Sequence, residues 1–304
     1  MKVNKKVLQL IAAIQILIFH FWINSSNTGV ENFIRTISYI GVDIFFFVSV
    51  YSMSQRYDEN FNYLSFIKNR FKNIFIKYWI LLAIAIVYKR YSSVIYKILG
   101  IEIFIKGGGA FLWFIPGIML VYLLFPFFLK WKNKYKTYIV LAVYLLVSIA
   151  VTNFTSYKEI FILLNRLPVM LFGYELSKRK LKGNKLIGVV SIMLSLACLY
   201  KFGYKAKLNF PIYDFYYIFA IPFIYGLLPL VENIKLNKVF DKVSKTTLEI
   251  YGLQMIFGFD ISSKIYLLFK NPLISNIVSL SLIILLAIIF KTVYDFINSK
   301  ISFK

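Results

Sequence analysis

The chain has 304 residues, 60% of them hydrophobic and 16% charged, with a mean hydropathy of +0.71 and a formal net charge of +23. A soluble globular chain carries about 45–50% apolar and about 25% charged residues, so this composition excludes a soluble protein and predicts a polytopic membrane protein. The surplus of Lys and Arg sits in short loops, where it sets orientation and meets anionic lipid; with no soluble basic domain, nucleic acid is excluded as a partner, and the single Cys198 and single His20 exclude an internal disulfide and a zinc site.

The first apolar segment, 7–23, follows Lys2, Lys5 and Lys6 and contains no charge. It has no small-x-small cleavage site and another apolar segment soon follows, so it reads as an uncleaved first helix. Nine more apolar segments follow, at 33–53, 73–88, 111–129, 138–154, 159–177, 185–202, 211–231, 248–268 and 272–297. The expectation is an all-α, polytopic helical bundle of about ten transmembrane helices in one domain, 1–304. The segment 91–106 is apolar but carries Lys97, Glu102 and Lys106, which predicts an outer interfacial or re-entrant helix rather than an eleventh span. Gly107–Gly109 follow it as a turn; no Gly-Lys-Ser/Thr is present, so this is no phosphate-binding loop.

Placing the N-terminus inside gives the cytoplasmic pieces 22 of the 36 Lys and Arg, against 10 in the outer pieces. That bias predicts both termini cytoplasmic. His20 then lies toward the outer end of the first span. Abundant Lys, Ile, Asn, Phe and Tyr fit an AT-rich bacterial genome, hence a multi-pass protein of a bacterial cell membrane.

Polar groups at membrane depth are few, and hydrocarbon penalises any that lack a partner. They are Gln9, Gln15 and His20 in the first span, Arg35 and Asp43 in the second, Lys77 in the third and Arg166 in the sixth. Asp214 follows near the outer end of the eighth, and Glu249, Gln254 and Asp260 lie in the ninth. His20 is the one side chain suited to move a proton near neutral pH. Asp43, on the antiparallel neighbour, is its expected partner, since a carboxylate can fix an imidazole's tautomer. A structural role for either stays open. Arg166 and Glu249 could pair within the bundle, either as scaffold or as a polar wall of a tunnel. The basic stretch Asn69-Arg70-Phe71-Lys72-Asn73 could bind phosphates or could simply set topology.

Several stretches, taken in order, resemble the acyltransferase 3 family of membrane acyltransferases. They are His20 at the end of the first span, Gly41-Val42-Asp43-Ile44-Phe45-Phe46-Phe47-Val48-Ser49, and Arg70-Phe71-Lys72-Asn73 with Tyr78-Trp79 beyond. Then come Leu112-Trp113-Phe114 with Tyr122 and Pro126, Arg166 with Gly173, and Thr247-Leu248-Glu249-Ile250-Tyr251. The family's first-span Arg, eleven residues before the His, is Gln9 here; Val50, Asn73 and Gln254 stand where it has Gly, Arg and often His.

The resemblance implies transfer of an acyl group from a cytoplasmic donor to a hydroxyl of a cell-surface polysaccharide or lipid-linked sugar. It implies acetyl-CoA or another acyl-CoA as co-substrate, with no bound cofactor and no metal. It assigns His20 as the base with Asp43 orienting it. Arg70 and Lys72 would hold the donor, and Ser49, Trp113, Tyr122, Arg166, Glu249 and Gln254 would line the tunnel or substrate path. The alternatives are a catalytically divergent or inactive relative, or a glycolipid flippase or small-molecule transporter, which intramembrane charges suit equally. Against a transporter, no half-repeat is visible.

Overall fold

A computed structural model describes residues 3–20, 29–57, 60–89, 94–153, 161–179, 183–205 and 216–301. Every regular element among them is helical. The apolar segments are helices because they are long runs without polar alternation, and in hydrocarbon a helix satisfies its own backbone.

The first helix, α1, is Lys5–His20. The second apolar segment is two helices, α2 (Gly29–Ser38) and α3 (Ile40–Arg56), joined at Tyr39. The third begins earlier than its apolar run: Asn62 caps Tyr63–Arg70 (α4) by accepting from the Ser65 N–H, a π turn covers Phe71–Phe75, and Ile76–Lys89 (α5) continues. Two short helices, α6 (Val94–Ile98) and α7 (Ile103–Lys106), precede α8 (Phe114–Lys130) and α9 (Lys136–Asn153). The sixth segment breaks at Asn165–Arg166 between α10 (Phe161–Leu164) and α11 (Leu167–Ser177), with Pro168 opening the second piece. Then come α12 (Lys185–Cys198), α13 (Tyr217–Val231), a short α14 (Lys238–Ser244), α15 (Thr247–Phe269) and α16 (Pro272–Ile301). The α14 stretch was expected to be loop; Asn237 caps it by accepting from the Phe240 N–H.

Among the described residues, four helical stretches are long and apolar enough to cross a membrane: Asn32–Arg56, Tyr63–Lys89, Lys185–Phe202 and Pro272–Lys300. Shorter apolar helices run over Phe114–Lys130, Lys136–Ala150 and Tyr217–Val231.

Helices α1, α3, α11 and α15 pack together as the centre of the bundle. Gly41 lets α1 and α3 approach, because a Cβ there would stand 2.7 Å from the Ala12 carbonyl oxygen. Gly188 and Gly226 do the same for α12 and α13. One end of the bundle gathers the loop segments. Asn4 donates to the Val231 and Ile234 carbonyls, Lys6 pairs with Asp241, and Tyr63 donates to the Leu123 carbonyl. Thr137 donates to Glu175, and the Tyr294 hydroxyl reaches the Lys72 carbonyl. The ammonium groups of Lys245 and Lys6 hold the Asp241 carboxyl below the usual carboxylate range.

The 94–106 segment doubles back. Tyr78, in the first turn of α5, donates to the Lys97 carbonyl, and the indole N–H of Trp79 donates to the Ile98 carbonyl at 2.9 Å. The segment therefore returns beside the beginning of α5, not its Lys89 end. Backbone that folds back onto a helix must find its donors within the protein, and here Tyr78 and Trp79 supply them. Buried Glu102 organises the return. It lies 3.0 Å from Lys97 Nζ and 2.9 Å from Lys106 Nζ, and accepts from the Phe111 N–H at 3.0 Å.

Candidate functional site

Polar and aromatic groups cluster at three levels of the bundle. At the loop-rich end, the Tyr122 hydroxyl on α8 donates to Ser49 Oγ on α3 at 3.1 Å. The Arg70 guanidinium lies over the Tyr122 ring at 4.8 Å and the Phe66 ring at 5.1 Å. Stacking occupies the faces of the guanidinium and leaves its N–H edge for hydrogen bonding; among the described residues no carboxylate pairs with it. Three residues expected at the site from separate segments, Ser49, Arg70 and Tyr122, thus meet. Lys72 does not join them. It is exposed, and its carbonyl faces Tyr294 of α16. Asn73 donates to the Asn69 carbonyl one turn back, so it serves the helix.

The middle level is aromatic. Phe114 packs against Phe45, Phe46 and Tyr251, with centroids 5.5, 5.4 and 5.7 Å away, and Trp113 is buried beside it. Gln254 donates to the Ile16 carbonyl of α1 at 3.3 Å. Glu249 pairs with Lys77 Nζ at 2.5 Å, with both side chains largely closed to solvent. The pairing of Glu249 with Arg166 is therefore corrected. Glu249 sits in the first turn of α15, level with the first turn of α5, and Lys77 fills that position.

At the far level stands His20, the last residue of α1. Its ring meets Phe19 edge-on at 5.0 Å. Phe19 contacts Tyr39 at 5.4 Å and carries the Arg35 guanidinium 5.2 Å over its ring. Tyr39 in turn lies 4.5 Å beneath the Arg166 guanidinium and meets Tyr216 edge-on at 5.0 Å. Arg166 Nη1 donates to Asp43 Oδ2 at 2.7 Å. The expected His20–Asp43 partnership is corrected by this contact. Asp43 opens α3 on the face packed against α11, and a buried carboxylate takes the guanidinium it meets there. Among the described residues, His20 is linked to that pair through the Phe19 and Tyr39 rings.

The buried pair leaves polar capacity over. Asp43 Oδ1, Arg166 Nε and Nη2, Gln15 Oε1 and Gln254 Oε1 are buried without a hydrogen-bond partner among the described residues. Such groups are rare in folded proteins and mark places where polar ligands or water bind. No group of three or more His, Cys, Asp or Glu that could hold a metal occurs among the described residues. Asp214 lies outside the described residues.

Sequence reading missed Lys77 as the partner of Glu249, the Lys97–Glu102 knot, and a cavity lined by Tyr57, Phe61 and Tyr63 and edged by Lys130 and Lys132. The opposite charges at membrane depth were visible; which ones would meet was not.

The family model described as an acyltransferase domain, that of the acyltransferase 3 family, matches residues 6–294. No curated protein and no solved structure matches the chain.

Proposed function

The chain belongs to the acyltransferase 3 family, and from that premise we propose that it is a membrane-embedded O-acyltransferase. It would take the acyl group from a cytoplasmic acyl-CoA, such as acetyl-CoA, and place it on a hydroxyl of a cell-surface polysaccharide or lipid-linked sugar. The proposed setting is a bacterial cell membrane, with about ten spans and both termini inside.

The observation that carries this reading is the separation of two sites along one bundle. Arg70, Tyr122 and Ser49 cluster at the loop-rich end, and His20 stands at the last turn of α1. A phosphorylated donor suits the first, through charge-assisted bonds to the free edge of Arg70. A proton transfer suits the second. In the reaction the neutral imidazole of His20 takes the acceptor's hydroxyl proton. The oxygen attacks the thioester carbonyl, the carbon–sulfur bond breaks, and the thiolate leaves with a proton returned from the imidazolium. The products are the ester and the free thiol. Asp43 and Arg166 contribute as a buried polar wall. Their spare Oδ1, Nε and Nη2 atoms are suited to hydroxyls of a sugar. Trp113 and the Phe114–Tyr251 group would line the path between the two ends.

The test is a purified full-length preparation in nanodiscs, given radiolabelled acetyl-CoA and membrane-extracted glycans. Label transferred to glycan, with thiol release that depends on the glycan, supports the reading. No transfer and no thiol release with any acyl-CoA would point to the inactive or transporting alternative.

A further inference from the structure

At the loop-rich end, a cavity of about 830 Å³ opens between Tyr57, Phe61 and Tyr63 on one side and the last turn of α8 on the other. Tyr57, Phe61, Tyr63 and Phe127 line it, and Lys130 and Lys132 stand at its edge. Tyr63 is fixed twice, by its hydroxyl on the Leu123 carbonyl at 3.1 Å and by its ring against Phe127 at 5.4 Å. Tyr57 and Phe61 are in ring contact at 4.9 Å, and Phe61 continues to Phe66 at 5.2 Å. Phe66 leads to Tyr122, and the Arg70 guanidinium covers both. The cavity thus joins the donor-end cluster through an unbroken line of rings.

Lys130 and Lys132 are both exposed, and among the described residues no carboxylate pairs with either. Lys136 shows the contrast: its ammonium donates to the carbonyls of Phe128, Leu129 and Trp131, closing the end of α8, and is committed to structure. Asp58 and Glu59 lie outside the described residues.

Aromatic faces and unpaired ammonium groups in one cavity select a ligand that is flat at one end and anionic at the other. Rings stack on a heterocyclic base, and lysines meet phosphate as point charges. The volume falls in the range of about 300–1,000 Å³ typical of small-molecule sites. We propose that this cavity is a nucleoside-phosphate site, with the base among Tyr57, Phe61, Tyr63 and Phe127 and phosphate on Lys130 and Lys132. Under the acyl-CoA reading above, on which this identification of the ligand rests, it takes the adenosine bisphosphate end of the donor, and Arg70 takes the phosphates nearer the bundle. A phospholipid headgroup shares the phosphate chemistry but makes no use of the ring-lined walls.

The experiment titrates the full-length protein, in nanodiscs of neutral lipid, with adenosine 3′,5′-bisphosphate and with inorganic phosphate. The bisphosphate is expected to bind, with phosphate at least about tenfold weaker. Lys130→Ala/Lys132→Ala should weaken the bisphosphate by about tenfold or more, the loss of charge-assisted bonds. Phe61→Ala should weaken the bisphosphate and leave phosphate unchanged. Equal binding of bisphosphate and phosphate, or bisphosphate binding indifferent to the lysine pair, overturns the proposal. So does loss of nucleotide binding when phosphatidylglycerol is added to the nanodiscs, which would assign the lysines to lipid. The two readings separate cleanly. Acyl transfer with an unchanged donor KM in the lysine variant overturns the cavity assignment and leaves the enzyme standing. Lysine-dependent nucleotide binding without acyl transfer to any acceptor does the reverse.

Discussion

Arg166 Nη1 lies 2.7 Å from Asp43 Oδ2, and the two side chains are 1% and 0% exposed. Each therefore depends on the other to be tolerated where it is, since an uncompensated buried charge costs far more than a pair. Asp43→Leu or Arg166→Leu alone should destabilise the protein by about 3–5 kcal/mol. The double substitution should cost less than either single change, because it leaves no charge behind. Thermal unfolding of the four purified proteins as a double-mutant cycle measures this. Strictly additive losses would mean the two groups are not coupled.

His20→Ala should abolish acyl transfer while the protein accumulates and melts as the wild type does. His20 is the chain's sole imidazole, and among the described residues its ring makes an edge contact with Phe19 at the end of α1. The measurement pairs labelled-acyl transfer with a melting curve on the same preparation. Wild-type transfer would remove His20 as the base.

Arg70→Ala should raise the donor KM, with the acceptor KM little changed. Arg70→Lys should rescue poorly, because an ammonium lacks both the planar stack on Phe66 and Tyr122 and the paired N–H edge. Lys72→Ala should leave donor kinetics unchanged, since the Lys72 side chain is exposed and, among the described residues, only Arg70 of the two stacks on Phe66 and Tyr122. Steady-state kinetics with varied donor decide it; a Lys72 effect equal to that of Arg70 would move the donor site.

Glu102→Ala should loosen the 94–106 segment. Three groups converge on this carboxylate: the Lys97 and Lys106 ammonium groups and the Phe111 N–H. A lowered melting temperature is expected, with new proteolytic cleavage around Gly107–Gly109. Glu102→Gln keeps an acceptor for the Phe111 N–H and should lie between. Unchanged melting and cleavage in Glu102→Ala would show that Tyr78 and Trp79 hold the segment alone.

Both termini should be cytoplasmic, as the 22-to-10 division of Lys and Arg predicts. Single cysteines placed near each end of a Cys198→Ser chain, probed with an impermeant thiol reagent on intact cells, test this. Labelling of either end from outside would require a different number of crossings.

Composition and apolar run length determined that the chain is helical and where most of its helices lie, but not the breaks at Tyr39 and Asn165–Arg166 or the short α14. Composition and run length are local properties, and a membrane-length apolar run has few options but a helix. The chain order of Gly41–Ser49, Arg70, Trp113–Tyr122, Arg166 and Glu249 was enough to mark the family. What a helix faces is another matter. It depends on rotation about its axis and on which neighbour it meets, and neither is written in its own residues. Asp43 and Glu249 each had more than one oppositely charged or titratable group within reach at similar depth. The close approach of α3 to α11 gave Asp43 to Arg166, and the level of α15 against α5 gave Glu249 to Lys77. The return of 94–106 beside Tyr78, and the meeting of Tyr57 and Phe61 with Lys130 and Lys132 across more than one helix, were decided the same way. These are contacts between distant parts of the chain, and only the packed bundle brings them together.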